Sequence, residues 1–214
     1  MLAVSPANVM GLSSGSWRDG NTRKEHMQRT IIGTIAGFVV LSQTATFTQG
    51  PKAPVLATDI TAAEIQAVLS APSASADRLI TAVDMGTYNV GVGVLRRTPT
   101  KPGAPVGAIM HEHITEVYYI ISGTGTLFTG GEVINARPTP ADSEIVKVAV
   151  GPSNQGTFKT PAQKRKVGPG DVVIIPPGVY HGFDDVTTGI DYLAVRPDPN
   201  HVLPAGYVHP AIKK

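Results

Sequence analysis

The sequence predicts an all-β protein, a small barrel or sandwich of short strands with one short helix before it. Three observations favour this fold class. After about residue 79, apolar residues recur with the twofold spacing of a strand. Turn signals rich in glycine and proline separate these runs. Charged residues make up only 16% of the 214 residues, below the share in an average globular protein.

The first segment, residues 1–49, is predicted to be a leader outside the fold. Its apolar run, residues 31–41, is shorter than the roughly 20 residues of a membrane-spanning helix. The run is typical of a secretory signal that starts near Met27, so we expect a periplasmic or secreted protein without a stable membrane span. The alternatives are a buried N-terminal element, a retained anchor and a cytoplasmic location.

The net charge and the absence of cysteine narrow the function classes. The formal net charge of +2 lies in the leader, and the remaining chain is balanced. Because the acidic and basic residues after the leader are equal in number, their charge favours neither nucleic acid nor an anionic membrane as a partner. The chain has no cysteine, which excludes disulfides, thiolate nucleophiles and cysteine metal sites.

Residues 50–79 are predicted to be a linker and a short helix. Thr61 is followed three residues later by Glu64, the pattern of a capping box at the start of a helix. Apolar residues then recur at helical spacing. We therefore expect a helix over 61–70, packed on the outside of the barrel.

Residues 80–197 carry the strand pattern, and the proline-rich tail 198–214 is expected to be an extended strap. Turn signals lie between the runs, and no internal repeat is evident. The predicted strands are 88–95, 106–113, 115–122, 124–129, 144–150, 171–176 and 190–196.

Two histidines and a glutamate fall in one short segment, HEHITE (111–116). Because residues i and i+2 of a strand point to the same face, His111 and His113 are expected to project together. A short turn then leads to Glu116 at the start of the next strand. Its carboxylate is expected to converge with the two imidazoles.

A third histidine follows a tight turn farther along the chain. The run 171–176 ends in a Pro-Pro-Gly turn, and His181 enters a new strand shortly after it. We predict that His111, His113, Glu116 and His181 bind one divalent transition metal, since imidazole and carboxylate suit Fe, Mn, Ni or Zn. Open coordination positions would admit water, dioxygen or a substrate.

These segments resemble the two sequence motifs of the cupin superfamily. The first motif is matched by His111, His113, Glu116 and Gly123. The second is matched by Gly170, Pro176, Gly178 and His181, with Asp185 where the motif has asparagine. Pro105 stands where the first motif begins with glycine, and the gap between His113 and Glu116 is two residues instead of three or four.

The resemblance implies that residues 80–197 fold as a jelly-roll barrel, the double-stranded β-helix of a small single-domain cupin. The segment between Gly123 and Gly170 is longer than a minimal cupin needs. We therefore predict an added hairpin over about residues 131–167. The resemblance, together with exposed strand edges that need covering, also predicts a homodimer.

Neighbours of the predicted ligands are expected to form a substrate pocket. Strand alternation places Tyr118 and Ile120 on the same face as Glu116. We predict that Glu116 and Tyr118 are catalytic, although Tyr118 as a wall residue is the alternative. Arg96 is predicted to bind a substrate carboxylate, the alternative being a solvated side chain. The predicted pocket residues are Ile109, Tyr118, Ile120, Val179, Phe183 and Arg96.

The resemblance implies a metal-dependent enzyme for a small oxygenated substrate, of the dioxygenase, isomerase or lyase type. In this hypothesis Glu116 binds the metal or transfers a proton. The alternative is a non-catalytic cupin that binds a sugar or a small acid. A structural cupin, or one that has lost its metal, is a further alternative.

Overall fold

Two antiparallel sheets form the body of the computed structural model, which describes residues 56–73 and 75–213. One helix, α1 (Ala62–Ser70), precedes them. The strands are β1 (Asp77–Asp84), β2 (Asn89–Arg97), β3 (Gly107–His111), β4 (Glu116–Gly123), β5 (Gly125–Pro138), β6 (Ser153–Val167), β7 (Val172–Ile175), β8 (His181–Asp184) and β9 (Ile190–Asp198). The predicted all-β jelly-roll fold with a short N-terminal helix is confirmed.

The order of the strands brings the ends of β3, β4 and β8 together. The first sheet has the order β1-β2-β9-β4-β7. The second sheet, β3-β6-β5-β8, closes on itself because Ile109 of β3 pairs with His181 of β8. The largest core cluster includes Tyr118 and Ile120 of β4 and Tyr192 of β9, and these side chains lie inside the barrel.

Helix α1 covers the outer face of β1 and β2. The predicted capping box is present: the Thr61 hydroxyl accepts from the Glu64 amide, and the Glu64 carboxylate accepts from the Thr61 amide. Val68 of the helix packs with Ile80 of β1 and Val94 of β2. Because the helix buries this face, β2 is apolar on both of its sides.

One predicted strand is wrong. Residues 144–150 were expected to be extended, but Ile145–Val150 form a π-helix. Val146, Ala149 and Val150 are its buried residues, a spacing that fits a helix better than the alternation of a strand. A short apolar run fits either structure, and tertiary packing decides between them.

The predicted added hairpin is longer than expected. Strands β5 and β6 pair along nearly their whole length, from Gly125 opposite Val167 to Pro138 opposite Asn154. The hairpin is therefore continuous with the barrel sheet and begins at Gly125. The π-helix lies in the connection between the two strands.

The C-terminal segment after Asp198 runs beside β1. The Ala82 amide donates to the Tyr207 carbonyl at 3.1 Å, and the His209 amide donates to the Ile80 carbonyl at 2.8 Å.

Strand β7, the last strand of the first sheet, exposes 55% of Val172 and 67% of Ile174. The predicted homodimer stays a prediction.

The predicted leader, with its signal near Met27, lies outside the described residues. Among the helices of residues 56–73 and 75–213, none has the length and apolar character required to cross a bilayer.

Candidate metal centre

Three buried side chains meet where strands of the two sheets end. His111 is the last residue of β3, Glu116 the first of β4, and His181 the first of β8. Their exposed fractions are 4%, 1% and 1%. One ligand atom from each lies within 4.8 Å of the others, a separation that one ion can bridge at coordination distances of about 2 Å.

The hydrogen bonds of the two imidazoles fix their tautomers. Nδ1 of His111 lies 2.8 Å from the Ser153 hydroxyl, which itself donates to the Gly151 carbonyl at 2.9 Å. The hydroxyl therefore accepts from Nδ1–H. Nδ1 of His181 lies 3.1 Å from the Val179 carbonyl, which can only accept. In the neutral form, each ring consequently presents the lone pair of its Nε2 to the centre.

Both lone pairs point at the same carboxylate oxygen. Glu116 Oε2 lies 3.3 Å from Nε2 of His111 and 3.2 Å from Nε2 of His181. Nε2 of His181 is buried and has no hydrogen-bond partner among the described residues. Acceptors that face one another repel unless a proton or a cation lies between them. The donor set, two imidazole nitrogens and a carboxylate oxygen, fits a divalent transition metal.

The other oxygen of Glu116 is held by a buried arginine. Arg196 of β9 donates to Oε1 from Nε at 3.0 Å. Its Nη2 lies 2.9 Å from the same oxygen and donates to the carboxylate of Asp77. Burial would raise the pKa of the Glu116 carboxyl, but Arg196 and then His111 outweigh it and hold this pKa well below its usual value. Glu116 is therefore an anion with Oε2 turned to the imidazoles.

Tyr118 donates a hydrogen bond to Oε2, the Glu116 oxygen that faces the imidazoles. Its hydroxyl lies 2.7 Å from Glu116 Oε2. Burial and the Glu116 charge raise the pKa of the Tyr118 hydroxyl well above its ordinary value. The phenol consequently remains protonated at neutral pH and serves as a hydrogen-bond donor.

Arg196 was missed in the sequence, although Gly93 of β2 points to it. Gly91 pairs with Arg196 across β2 and β9. A Cβ atom added at Gly93 would lie 2.6 Å from Nη1 of Arg196. Only a strand position without a side chain leaves room for the guanidinium. A glycine inside a strand, Gly93, was the available signal for a large buried partner.

The prediction that His113 joins the metal ligands is wrong. The buried group consists of His111, Glu116 and His181, whereas the His113 side chain is 41% exposed and lies 4.0 Å from Glu112. Strand β3 ends at His111, so strand alternation does not extend to His113. Two residues separate His113 from Glu116, and of the two imidazoles only that of His111 faces the Glu116 carboxylate.

The two imidazoles open onto a cavity of about 320 Å³. Ile109, Tyr118 and Phe183 line it, and their role in substrate binding stays a prediction. Ile120 is fully buried in the core beneath it. Val179 packs against that core and lines a separate surface depression, so neither side chain reaches the cavity.

Arg96 does not face this cavity, but Arg97 does. Arg96 lies on the outer side of β2, where it forms a bidentate pair with Asp191 at 2.8 and 2.7 Å, and its side chain is 47% exposed. Arg97 lines the cavity with the imidazoles. Val92 and Val94, which alternate onto the same face of β2 as Arg96, pack in one cluster with Val68 of helix α1. This face is therefore the outer one.

The motif positions have structural roles that explain their residue types. Gly123 and Gly178 have φ of 76° and 78°, a left-handed conformation that glycine adopts without strain. Asp185, which replaces the asparagine of the motif, also has a positive φ of 52°. Its carboxylate accepts from the Thr126 hydroxyl at 2.8 Å, and so the turn before β9 is retained.

Comparison with solved structures finds similar folds at low identity. A Bacillus halodurans protein is 15% identical, with 74% of this chain and 93% of that one covered and a TM-score of 0.43. A Klebsiella pneumoniae protein with a double-stranded β-helix domain is 16% identical, with 67% and 93% covered and a TM-score of 0.39. DMSP lyase DddQ from Ruegeria pomeroyi is 15% identical, with 65% and 53% covered and a TM-score of 0.37.

Comparison with curated protein sequences gave no match. The cupin family model matches residues 77–202, which is more than half of the chain. This range begins with β1 and ends just after β9, so it includes both sheets and all three residues of the buried group. The chain therefore belongs to the cupin family.

Proposed function

We propose that this cupin is a metal-dependent enzyme that acts on a small oxygenated substrate. The observation that carries the proposal is the convergence of Nε2 of His111, Nε2 of His181 and Oε2 of Glu116. One divalent ion, Fe, Mn, Ni or Zn, would be held by these three atoms. Such a site would be buried in the barrel and next to a cavity of about 320 Å³, which is at the lower end of small-molecule sites.

An ion held by His111, Glu116 and His181 would supply Lewis acidity, which would orient an oxygenated molecule and stabilise negative charge on its oxygen. The low pKa of the Glu116 carboxyl, which Arg196 and His111 impose against the opposing effect of burial, favours a role as a metal ligand over a role in proton transfer. The Arg196 contact restricts the carboxylate to one free oxygen.

The second residue proposed to act on the substrate is Tyr118. Its ring lines the cavity, and its hydroxyl lies next to the proposed metal position. Because the pKa of this hydroxyl is raised, Tyr118 is a donor at neutral pH. We propose that, when substrate binds, this hydroxyl turns its single proton from Glu116 Oε2 to a substrate oxygen and so fixes the orientation of the substrate.

Turnover by the metal-loaded protein tests the proposal. The full chain is loaded separately with Fe, Mn, Ni and Zn and mixed with diols, β-diketones, thiols and hydroxy acids. Dioxygen uptake and product formation are recorded. His111→Ala and His181→Ala are expected to abolish turnover, because each removes a ligand. His113→Ala is the matched control and retains turnover, since His113 lies outside the group.

Two results contradict the proposed enzyme. Turnover that survives His181→Ala would place the chemistry elsewhere on the protein. A compound that stabilises the wild-type protein against heat but is never converted, with any of the four metals, supports the alternative of a non-catalytic binding protein.

A further inference from the structure

Arg97 is a cation at the wall of the cavity with most of its hydrogen-bonding capacity unused. Its Nε donates to the Tyr192 hydroxyl at 2.7 Å. Its guanidinium lies over the rings of Phe183 and Tyr192, with Cζ 5.4 and 5.9 Å from their centroids. Neither Nη1 nor Nη2 forms a hydrogen bond to any residue in the described part of the chain.

In the part of the chain that the structure describes, no carboxylate is paired with Arg97. Burial raises the pKa of Tyr192 to about 12, although Arg97 opposes the shift, so this partner is a neutral phenol at pH 7. The carboxylate that also lines the cavity, Asp77, is paired with Arg196. Within residues 56–73 and 75–213, Arg97 forms no ion pair.

The charges of the whole centre favour an anion. Arg97 and Arg196 balance the two carboxylates of Asp77 and Glu116, so a bound divalent ion leaves an excess of positive charge. Buried charges without compensation are costly, and a negatively charged ligand in the cavity would reduce this cost. The two aromatic rings hold the guanidinium plane in place, which suits a planar, bidentate partner.

We propose that Arg97 binds the carboxylate of the substrate, so that the substrate class is small carboxylic acids with an oxygen function for the metal. This inference rests on the proposed function of the same site. A guanidinium and a carboxylate form two parallel N–H···O bonds, and Nη1 and Nη2 are the donors available for them. The cavity of about 320 Å³ is at the lower end of small-molecule sites, which favours a small acid.

The test compares propionate with propionamide, a neutral molecule of nearly the same shape. Binding to the full chain is measured by isothermal titration calorimetry, on zinc-loaded and on metal-free protein, and the zinc content of each sample is determined. Wild-type protein is expected to bind propionate at least tenfold more tightly than propionamide. Arg97→Met is expected to weaken propionate binding by about 10- to 100-fold with the zinc content unchanged.

Arg96→Gln is the matched control, because Arg96 adjoins Arg97 but points out of the barrel; its propionate affinity should equal that of the wild type. Arg97→Lys keeps the charge but loses the bidentate geometry, and is expected to bind propionate with an intermediate affinity. The wild-type comparison of the two ligands on metal-free protein needs no variant and excludes coordination of propionate to zinc. It therefore decides the question even if Arg97→Met does not fold.

Equal affinity of the zinc-loaded wild type for propionate and propionamide overturns the inference, as does propionate binding that Arg97→Met leaves unchanged. Either result leaves the metal site intact, because zinc content is measured on the same samples. A wild-type protein that takes up no zinc contradicts the proposed function instead. In that case the metal-free protein decides the inference. Propionate binding that is lost in Arg97→Met supports it, and propionate binding that Arg97→Met leaves unchanged overturns it.

Discussion

The hydroxyl of Ser153 accepts a hydrogen bond from Nδ1 of His111, and this contact determines which nitrogen of the imidazole faces the metal centre. The two residues are 42 positions apart in the chain, and they are brought together because β3 pairs with β6, with His111 opposite Ser153. Such contacts to the outer nitrogen of a ligating histidine orient the ring and increase its basicity.

We therefore expect Ser153→Ala to weaken metal binding by about 10- to 100-fold without abolishing it. The variant leaves all three ligands in place but no longer holds the Nδ1 proton of His111. Zinc affinity measured by competition with a chromophoric chelator checks this expectation. Ser143→Ala is the control, since its hydroxyl donates to the Pro140 carbonyl, outside the metal centre. Equal zinc affinity of the two variants would contradict the assigned role of Ser153.

Acid is expected to destabilise the metal-free protein because of His111. Burial lowers the pKa of its imidazole below 6.5, so the unfolded chain takes up a proton at a pH where the folded chain does not. The free energy of unfolding then decreases as pH falls below about 6.5, by up to ~1.4 kcal/mol per pH unit for one proton. Glu116, whose pKa is also lowered, adds a loss of the same sign at more acidic pH.

Urea unfolding in the presence of a chelator, at several values between about pH 7 and pH 5, measures this slope. His111→Gln cannot take up the proton and should show a shallower dependence. His209, whose pKa is lowered by burial and by Arg78, contributes in both proteins. An identical slope in the wild type and in His111→Gln would show that His111 is not held neutral in the folded state.

Arg196 is expected to be essential for folding. Arg196→Met removes the positive charge between Glu116 and Asp77 and leaves two carboxylates buried without compensation. Breaking a buried ion pair in this way costs about 3–5 kcal/mol of unfolding free energy. Arg96→Met provides the comparison, because it breaks the partly exposed pair with Asp191 and should cost at most about 1 kcal/mol. Similar losses in the two variants, measured by chemical denaturation, would contradict this account.

Gly93→Ala is expected to destabilise the barrel by about 1–3 kcal/mol, since its methyl group would meet Nη1 of Arg196 at 2.6 Å. Gly107→Ala is the matched strand glycine, because a Cβ there meets no atom within 4 Å. Its stability should be within about 0.5 kcal/mol of the wild type. If Gly93→Ala proves as stable as Gly107→Ala in thermal unfolding, the space at Gly93 is not required for Arg196.

Local sequence patterns predicted which side chains within a single strand face the core. Alternation along β4 places Glu116, Tyr118 and Ile120 inward, and the structure buries all three side chains. The same rule was wrong for His113 because it needs the strand to continue, whereas β3 ends at His111. The position of a strand end depends on tertiary packing, which a local pattern does not contain.

The errors on β2 and at Arg196 are of a different kind. Helix α1 makes the outer face of β2 as apolar as the inner one, so the pattern alone could not distinguish Arg96 from Arg97. Arg196 lies 80 positions from Glu116 in the chain. Such a pair becomes visible in the sequence only through Gly93, whose missing side chain makes room for the guanidinium.

The metal content of the purified full chain tests the central claim most directly. Wild type, His181→Ala and His113→Ala are dialysed against the same zinc or manganese solution, and bound metal per chain is determined by elemental analysis. The account predicts one ion per chain in the wild type and in His113→Ala, and none in His181→Ala. The reason is that, of the two substituted histidines, only His181 belongs to the buried group. A wild type without bound metal, or an undiminished content in His181→Ala, would contradict it.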